Sequence, residues 1–215
     1  VSASSRPTVV KLGGSLSESG RIASILKVVG SARLPCVIVP GGGSFADAVR
    51  AAQAEHGFSQ AAAHRMAVLA MHQTGMMLCA MSPRLQPAET LAGIRRAVAE
   101  QRVPVWLPMN LVDGDTGITR DWKTTSDGLA ARLAERLGGA PVVLVKSCRV
   151  ARSASAARLA RDGIVDPTFA AIVERARLSW RVLGLGDEAE LADLLGSPHR
   201  SGRRAPAGRA IARRR

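Results

Sequence analysis

Aromatic residues are scarce in this chain, at 3% of 215 residues. Proteins that grip single-stranded nucleic acid combine cations with rings on which bases stack, so this shortage argues against that class. Cysteine is scarce as well. Cys36, Cys79 and Cys148 are odd in number and widely spaced, which excludes a disulfide scaffold and offers no close ligand pairs for zinc. A reduced, cytoplasmic protein fits these counts. No run approaches the roughly 18 uninterrupted apolar residues of a membrane span. Val1–Ser5 shows no basic segment leading into an apolar one, so no secretory leader is expected. Neither a Walker pattern nor a Gly-x-Gly-x-x-Gly fingerprint is present. Nor is a His-x3-His pair or a paired-carboxylate motif, and no metal ligand of the chain's own is expected. His64 and His72 lie about 80° apart on an ideal helix, too far round to share an ion. Each reads as a partly buried, hydrogen-bonded histidine, with substrate contact as the alternative.

What is present begins with charge. The formal net charge is +13, of which residues 200–215 contribute seven arginines and no acid; without them the excess is +6. That stretch has Gly, Pro and no apolar period, and is expected to be a disordered tail. It is the one part of the chain through which nucleic acid or an acidic partner could bind. The chain as a whole is 47% hydrophobic with mean hydropathy near zero, enough for a core.

Two glycine-rich turns follow directly on short apolar runs: Thr8–Leu12 runs into Gly13-Gly14-Ser15, and Cys36–Pro40 into Gly41-Gly42-Gly43-Ser44. A strand that ends in glycine and opens a helix presents unpaired N–H groups where the helix dipole is positive. That combination binds anions, and two such turns suggest a phosphate passed between two ligands.

Apolar spacing predicts strands over 8–12, 35–39, 103–108, 141–145 and 180–185. It predicts helices over 17–29 (capped by Ser17 or Ser19), 44–56, 59–81, 89–101, 126–137, 166–176 and 188–195. Pro83 and Pro87 break the long helix, whose methionines read as core or as a helix-packing interface. Residues 112–117 read as turns. Strands alternating with helices make an α/β protein, a three-layer αβα sandwich on a mainly parallel sheet. Ligands of such sheets sit beyond the strands' carboxyl ends, where both glycine turns, Asn110 and Lys146 are expected.

Lys11, just before the first turn, is suited to steadying the equatorial oxygens of a transferring phosphoryl group, a reaction that needs charge and alignment more than covalent help. Asp127 follows Thr125 and Ser126, either of which can cap the helix. Alone it complements the helix dipole; with Lys11 on the same sheet edge, it can pair with the lysine and orient it.

Three ordered blocks, Lys11–Ser15, Gly41–Gly43 and Thr125–Ala131, resemble the amino-acid-kinase fold family, over roughly residues 8–195. Further segments are similar to short kinase-like proteins of methylotrophs and methanogens tied to methanofuran biosynthesis. They are Ala61–Ala67, Asp121–Asp127, Val143–Ser147 and Gly163–Phe169. The resemblance implies one domain over 1–199, with 8–138 as the acceptor and phosphate lobe and 139–199 as a short nucleotide lobe. It implies an ATP-dependent kinase using Mg2+, with an aminomethylfuran-methyl phosphate as acceptor, and a homo-oligomer. Lys11, Asp127 and Lys146 would be catalytic. Gly13, Gly14, Ser15, Lys123 and Ser126 would hold the nucleotide, and Gly41, Gly42, Gly43, Ser44, His64 and Asn110 the acceptor. Many family members carry a late lysine where this chain reads Gly163-Ile164-Val165-Asp166-Pro167. With lysines only at 11, 27, 123 and 146, Lys146 or Lys123 would have to stand in. A nucleoside-monophosphate kinase and a degenerate anion-binding or storage subunit are the alternatives.

Overall fold

The computed structural model describes residues 6–16, 19–151 and 153–198. Ser17 and the arginine-rich stretch 200–215 lie outside them. The described chain runs β1 (Thr8–Leu12), a 3-10 turn (Gly14–Leu16), α1 (Ile22–Gly30), β2 (Cys36–Pro40), α2 (Gly43–His56), α3 (Gln60–Met81), β3 (Leu85–Ala88), α4 (Leu91–Ala99) and β4 (Val103–Trp106). It continues through α5 (Met109–Asp113), α6 (Ser126–Arg136), β5 (Val142–Val145), α7 (Ala156–Arg161), α8 (Pro167–Arg175), β6 (Trp180–Leu183) and α9 (Glu188–Leu194).

The six strands form one sheet in the order β3-β4-β2-β1-β5-β6, and every pairing is parallel. Strand residues alternate between two cores. Val9, Val37, Val39, Val142 and Leu144 meet Leu129, Leu133 and Phe169 of α6 and α8 on one face. Val10, Leu12, Ile38, Val143 and Val145 meet Ile25, Leu26 and Leu191 of α1 and α9 on the other. This is the period-two signature of strands buried on both sides, with helices as outer layers. Phe169 of α8 packs edge-on against Trp180 of β6, centroids 5.9 Å apart. Phe169 is fully buried, and truncating it to Ala would cost about 3–5 kcal/mol.

The structure corrects the sequence reading at four places. The first helix begins at Ile22, not at 17, and Arg21 caps it without a side-chain bond; Ser19 Oγ donates instead to the Leu16 carbonyl, 2.8 Å away. Leu85–Ala88 is a strand despite Pro87. It lies at the sheet edge, where a missing N–H need not break a ladder. The strand at 103 ends at Trp106, and Met109–Asp113 is a short helix. Ala156–Arg161 forms another short helix, with Ser155 Oγ accepting from Arg158 N at 3.2 Å. Of the α3 methionines, Met71 is buried whereas Met66, Met76 and Met81 are exposed. No helix of the described residues is long and apolar enough to cross a membrane.

Candidate active site

The order in which strands are added reverses about the centre of the sheet: β1 leads to β2 on one side and has β5 on the other. Beyond the carboxyl ends of these strands lies a cavity of about 510 Å3, the place a parallel sheet reserves for ligands.

Its floor is made by the two glycine turns packed backbone against backbone. A Cβ at Gly14 would stand 2.4 Å from the Gly43 nitrogen, and one at Gly41 would stand 2.4 Å from the Gly14 nitrogen. Any side chain at either position forces the turns apart. Gly43, with φ at +55°, opens α2 in a conformation that favours glycine. The two anion sites inferred from sequence are therefore one surface. Gly14, Ser15, Gly42 and Gly43 line the cavity. Gly13 and Gly41 sit one layer beneath: Gly13 N donates to the Val145 carbonyl at 3.0 Å and Gly41 N to the Leu12 carbonyl at 2.8 Å.

Against this floor stands a buried charge triad. Asp127, in the first turn of α6, lies between two lysines that end neighbouring strands. Its Oδ2 accepts from Lys146 Nζ at 2.5 Å. Its Oδ1 has no aligned donor but stands 2.8 Å from Lys11 Nζ. The three side chains are 4% (Asp127), 6% (Lys11) and 14% (Lys146) exposed, so they interact with little screening. Burial would raise the Asp127 pKa, but the two ammonium groups hold it below the usual carboxylate value. Burial, with the Lys11 charge beside it, pushes the Lys146 ammonium pKa down, against the pull of Asp127 and Asp166. With both lysines charged the triad carries one net positive charge, facing the cavity.

Asp166 holds the triad's helix in place. Its Oδ2 accepts from Thr125 N, Thr125 Oγ1 and Gly128 N, and its Oδ1 accepts from Phe169 N, all within 2.9 Å. One carboxylate thus caps α6 and α8 together. Burial, then the nearby Asp127, raises its pKa above the ordinary value, although these bonds oppose the shift. A Cβ on Gly128 would meet Asp166 Oδ1 at 2.8 Å, so this tie also requires glycine. Arg21 fixes the other side: it donates to the Lys146 carbonyl and the Gly184 carbonyl, both at 3.1 Å, and pairs with Glu188.

The walls come from α2, α3, the loop before α6 and the loop from α7 to α8. Val68, Met71, Leu129 and Ile164 make them apolar in the middle. His64 lines the cavity, is 3% exposed, and its Nε2 has no partner among the described residues. Burial pushes its pKa down, favouring neutral imidazole. His72 behaves otherwise: its Nε2 accepts from Met109 N at 3.0 Å.

Of the residues singled out from sequence, the structure brings Lys11, Gly14, Ser15, Gly42, Gly43, His64, Ser126, Asp127 and Lys146 to the cavity. Ser44 is exposed outside it. Lys123 is exposed as well, joined to the site only through its main chain, whose carbonyl accepts from Thr168 Oγ1. Asn110 turns away and donates to Glu89 at 2.7 Å. Sequence reasoning missed Asp47, Arg50, Trp122 and Asp166, which also line the cavity. Only Asp166 left a local signal, an Asp-Pro pair that reads as a helix start.

The sequence pattern of the amino acid kinase family matches residues 6–148. The [5-(aminomethyl)furan-3-yl]methyl phosphate kinase of Methanocaldococcus jannaschii is 24% identical over 138 residues. The match spans 63% of this chain and 63% of that protein. Among solved structures, the uridylate kinase of Archaeoglobus fulgidus superposes with a TM-score of 0.67 at 20% identity, covering 88% of this chain and 95% of that one. The UMP kinase of Bacillus anthracis gives 0.64 at 13%, covering 88% and 91%. The isopentenyl phosphate kinase of T. acidophilum gives 0.57 at 15%, covering 87% and 95%.

Proposed function

This chain belongs to the amino acid kinase family, and from that premise we propose that it transfers a phosphoryl group from ATP to the phosphate of a small acceptor. The observation that carries the reading is the Lys11–Asp127–Lys146 triad set against fused glycine turns. The residues suit a nucleotide's phosphates: Gly14 and Gly41 leave clear the backbone nitrogens of Gly43 and Gly14, which a Cβ would press on, and two little-exposed ammonium groups stand beside them. Among the described residues no three His, Cys, Asp or Glu side chains gather to hold a metal, and Asp127 and Asp166 are both engaged. Mg2+ is therefore assigned to the nucleotide's phosphates, with no protein cage. When bound, Mg-ATP supplies the phosphoryl group and part of the charge compensation.

The chain's own residues do the rest. Lys11 and Lys146 neutralise charge on the equatorial oxygens, and Asp127 fixes both ammonium groups so that little reorganisation is needed during transfer. Lys146, from the end of β5, takes the place of the late lysine absent from Gly163–Pro167. The glycine-turn N–H groups hold donor and acceptor phosphates on one floor, which supplies alignment. An acceptor phosphate is ionised near neutral pH, so no general base is required. Neutral His64 offers its unpaired Nε2 to the acceptor. Residues 8–138 serve mainly the acceptor and 139–199 the nucleotide.

The leading acceptor is an aminomethylfuran-methyl phosphate, supported by the 24% identical relative and its name. The test is 31P NMR of the purified chain with Mg-ATP and, in separate samples, that phosphate or UMP. A new diphosphate doublet supports the reading. UDP formed from UMP, with the furan phosphate untouched, would move the acceptor to a nucleotide. No transfer to either would leave an anion-binding subunit. The reading includes a cytoplasmic setting, supported by three free cysteines. It also includes a homo-oligomer, supported by Met66, Leu69 and Met76 exposed on one stripe of α3. A monomer at micromolar concentration by light scattering would contradict the latter.

A further inference from the structure

At the mouth of the cavity one guanidinium touches two things at once. Arg50 Nη1 donates to Asp47 Oδ1 at 2.8 Å, and Arg50 Cζ stands 4.3 Å from the centroid of the Trp122 ring. The carboxylate and the indole face are therefore within reach of a single cation. The indole is held from behind, its Nε1 donating to Gln53 Oε1 at 2.7 Å. Its loop is stapled to α8 by the hydroxyls of Thr124 and Thr168, 3.0 Å apart. Arg50 is held less firmly: its side chain is 50% exposed and its carboxylate partner 65%. An exposed ion pair of this kind contributes little. A fixed aromatic face beside a carboxylate is the arrangement that binds ammonium groups.

We propose that Asp47 and the Trp122 ring form a cation subsite that receives the ammonium end of the acceptor, and that Arg50 occupies it until the acceptor arrives. This rests on the phosphorylated-acceptor reading above. The cavity then reads in three zones. The triad and glycine turns hold the phosphate, and the apolar walls at Val68, Met71 and Ile164 hold a flat ring. The mouth holds the amine. The substrate class is an aminoalkyl aromatic phosphate.

The test varies the two ends of a probe independently. Calorimetric Kd values are measured for para-(aminomethyl)benzyl phosphate, para-methylbenzyl phosphate and the two corresponding benzyl alcohols. In the wild-type chain the ammonium tightens binding about fivefold or more, with or without the phosphate. Asp47→Asn and Trp122→Leu cut that gain below about twofold and leave para-methylbenzyl phosphate unaffected; Trp122→Phe keeps most of it. Arg50→Ala enlarges the gain, because the subsite is vacated, an effect that a merely structural arginine would not give. A wild-type chain indifferent to the ammonium would overturn the proposal. So would a gain that survives both Asp47→Asn and Trp122→Leu, or amine probes weakened by Arg50→Ala. The phosphate is judged separately. A chain that gains from the amine but not from the phosphate keeps the subsite and loses the phosphate-acceptor reading. The reverse result does the opposite.

Discussion

The two ends of the sheet each carry a cavity lined by basic side chains, and they use their cations differently. At the amino end a cavity of about 350 Å3 is lined by Arg33, Arg84 and Arg102, with Cys36 beside them. Arg84 donates to the carbonyls of Gly30, Ala32 and Gln101, and Arg102 donates to that of Pro83. These two arginines are tied to main chain that joins α1, β3 and α4, and they hold the fold. At the carboxyl end, Lys11 and Lys146 share one carboxylate and keep donors for a ligand. Basic charge alone does not mark a site; the distinction is whether the donors are spent on the protein's own carbonyls.

That contrast can be broken from either end. Lys11→Ala should have the largest effect, lowering turnover about a thousandfold while circular dichroism and melting show a native fold. Wild-type turnover in the folded variant would contradict the mechanism. Lys146→Ala should cost about a hundredfold, whereas Lys123→Ala should stay within about threefold because Lys123 is exposed outside the cavity. Equal losses in the two would move the second cationic role away from β5.

At the amino end the sign is reversed. Arg84→Ala should cost about 1–3 kcal/mol of stability by denaturant titration, since it leaves the part-buried carbonyls of Gly30 and Ala32 without their charged donor, with activity per folded molecule within about twofold. The smallest effect concerns Cys36, whose burial pushes its thiol up to about 12. The folded state therefore holds this proton after the unfolded chain has released it, and stability should fall as pH rises from about 9 towards 12. Near neutral pH a thiol reagent should label exposed Cys148 quickly and Cys36 only after unfolding. Rapid labelling of Cys36 in the native chain, read apart from half-buried Cys79 by peptide mapping, would show that the amino end opens more readily than its packing implies.

The sequence makes the floor legible and the rim illegible, for a physical reason. Glycine turns after apolar runs, a lysine before the first turn and an aspartate in a helix's first turn are local patterns, and local patterns can be read along a chain. Lys146 became a candidate because it ends a strand. Asp47, Arg50 and Trp122 meet only when α2 folds beside the loop before α6, some 70 residues on, as the Trp122–Gln53 separation of 69 shows. Asn110 and Ser44 satisfied the sequence argument for proximity, yet a strand's end fixes position without fixing where a side chain turns. The parallel order was legible from the alternation of strands and helices. β3 was not, because Pro87 reads as a breaker unless the strand is known to be an edge. Nor was α7, whose six residues are too few for apolar periodicity to show.

The most direct test of the central claim is isothermal titration of the purified chain with a non-hydrolysable ATP analogue and Mg2+, beside Lys11→Ala. Saturable binding that weakens in the variant is the expected result. No binding by a wild-type sample shown to be folded by circular dichroism would contradict it.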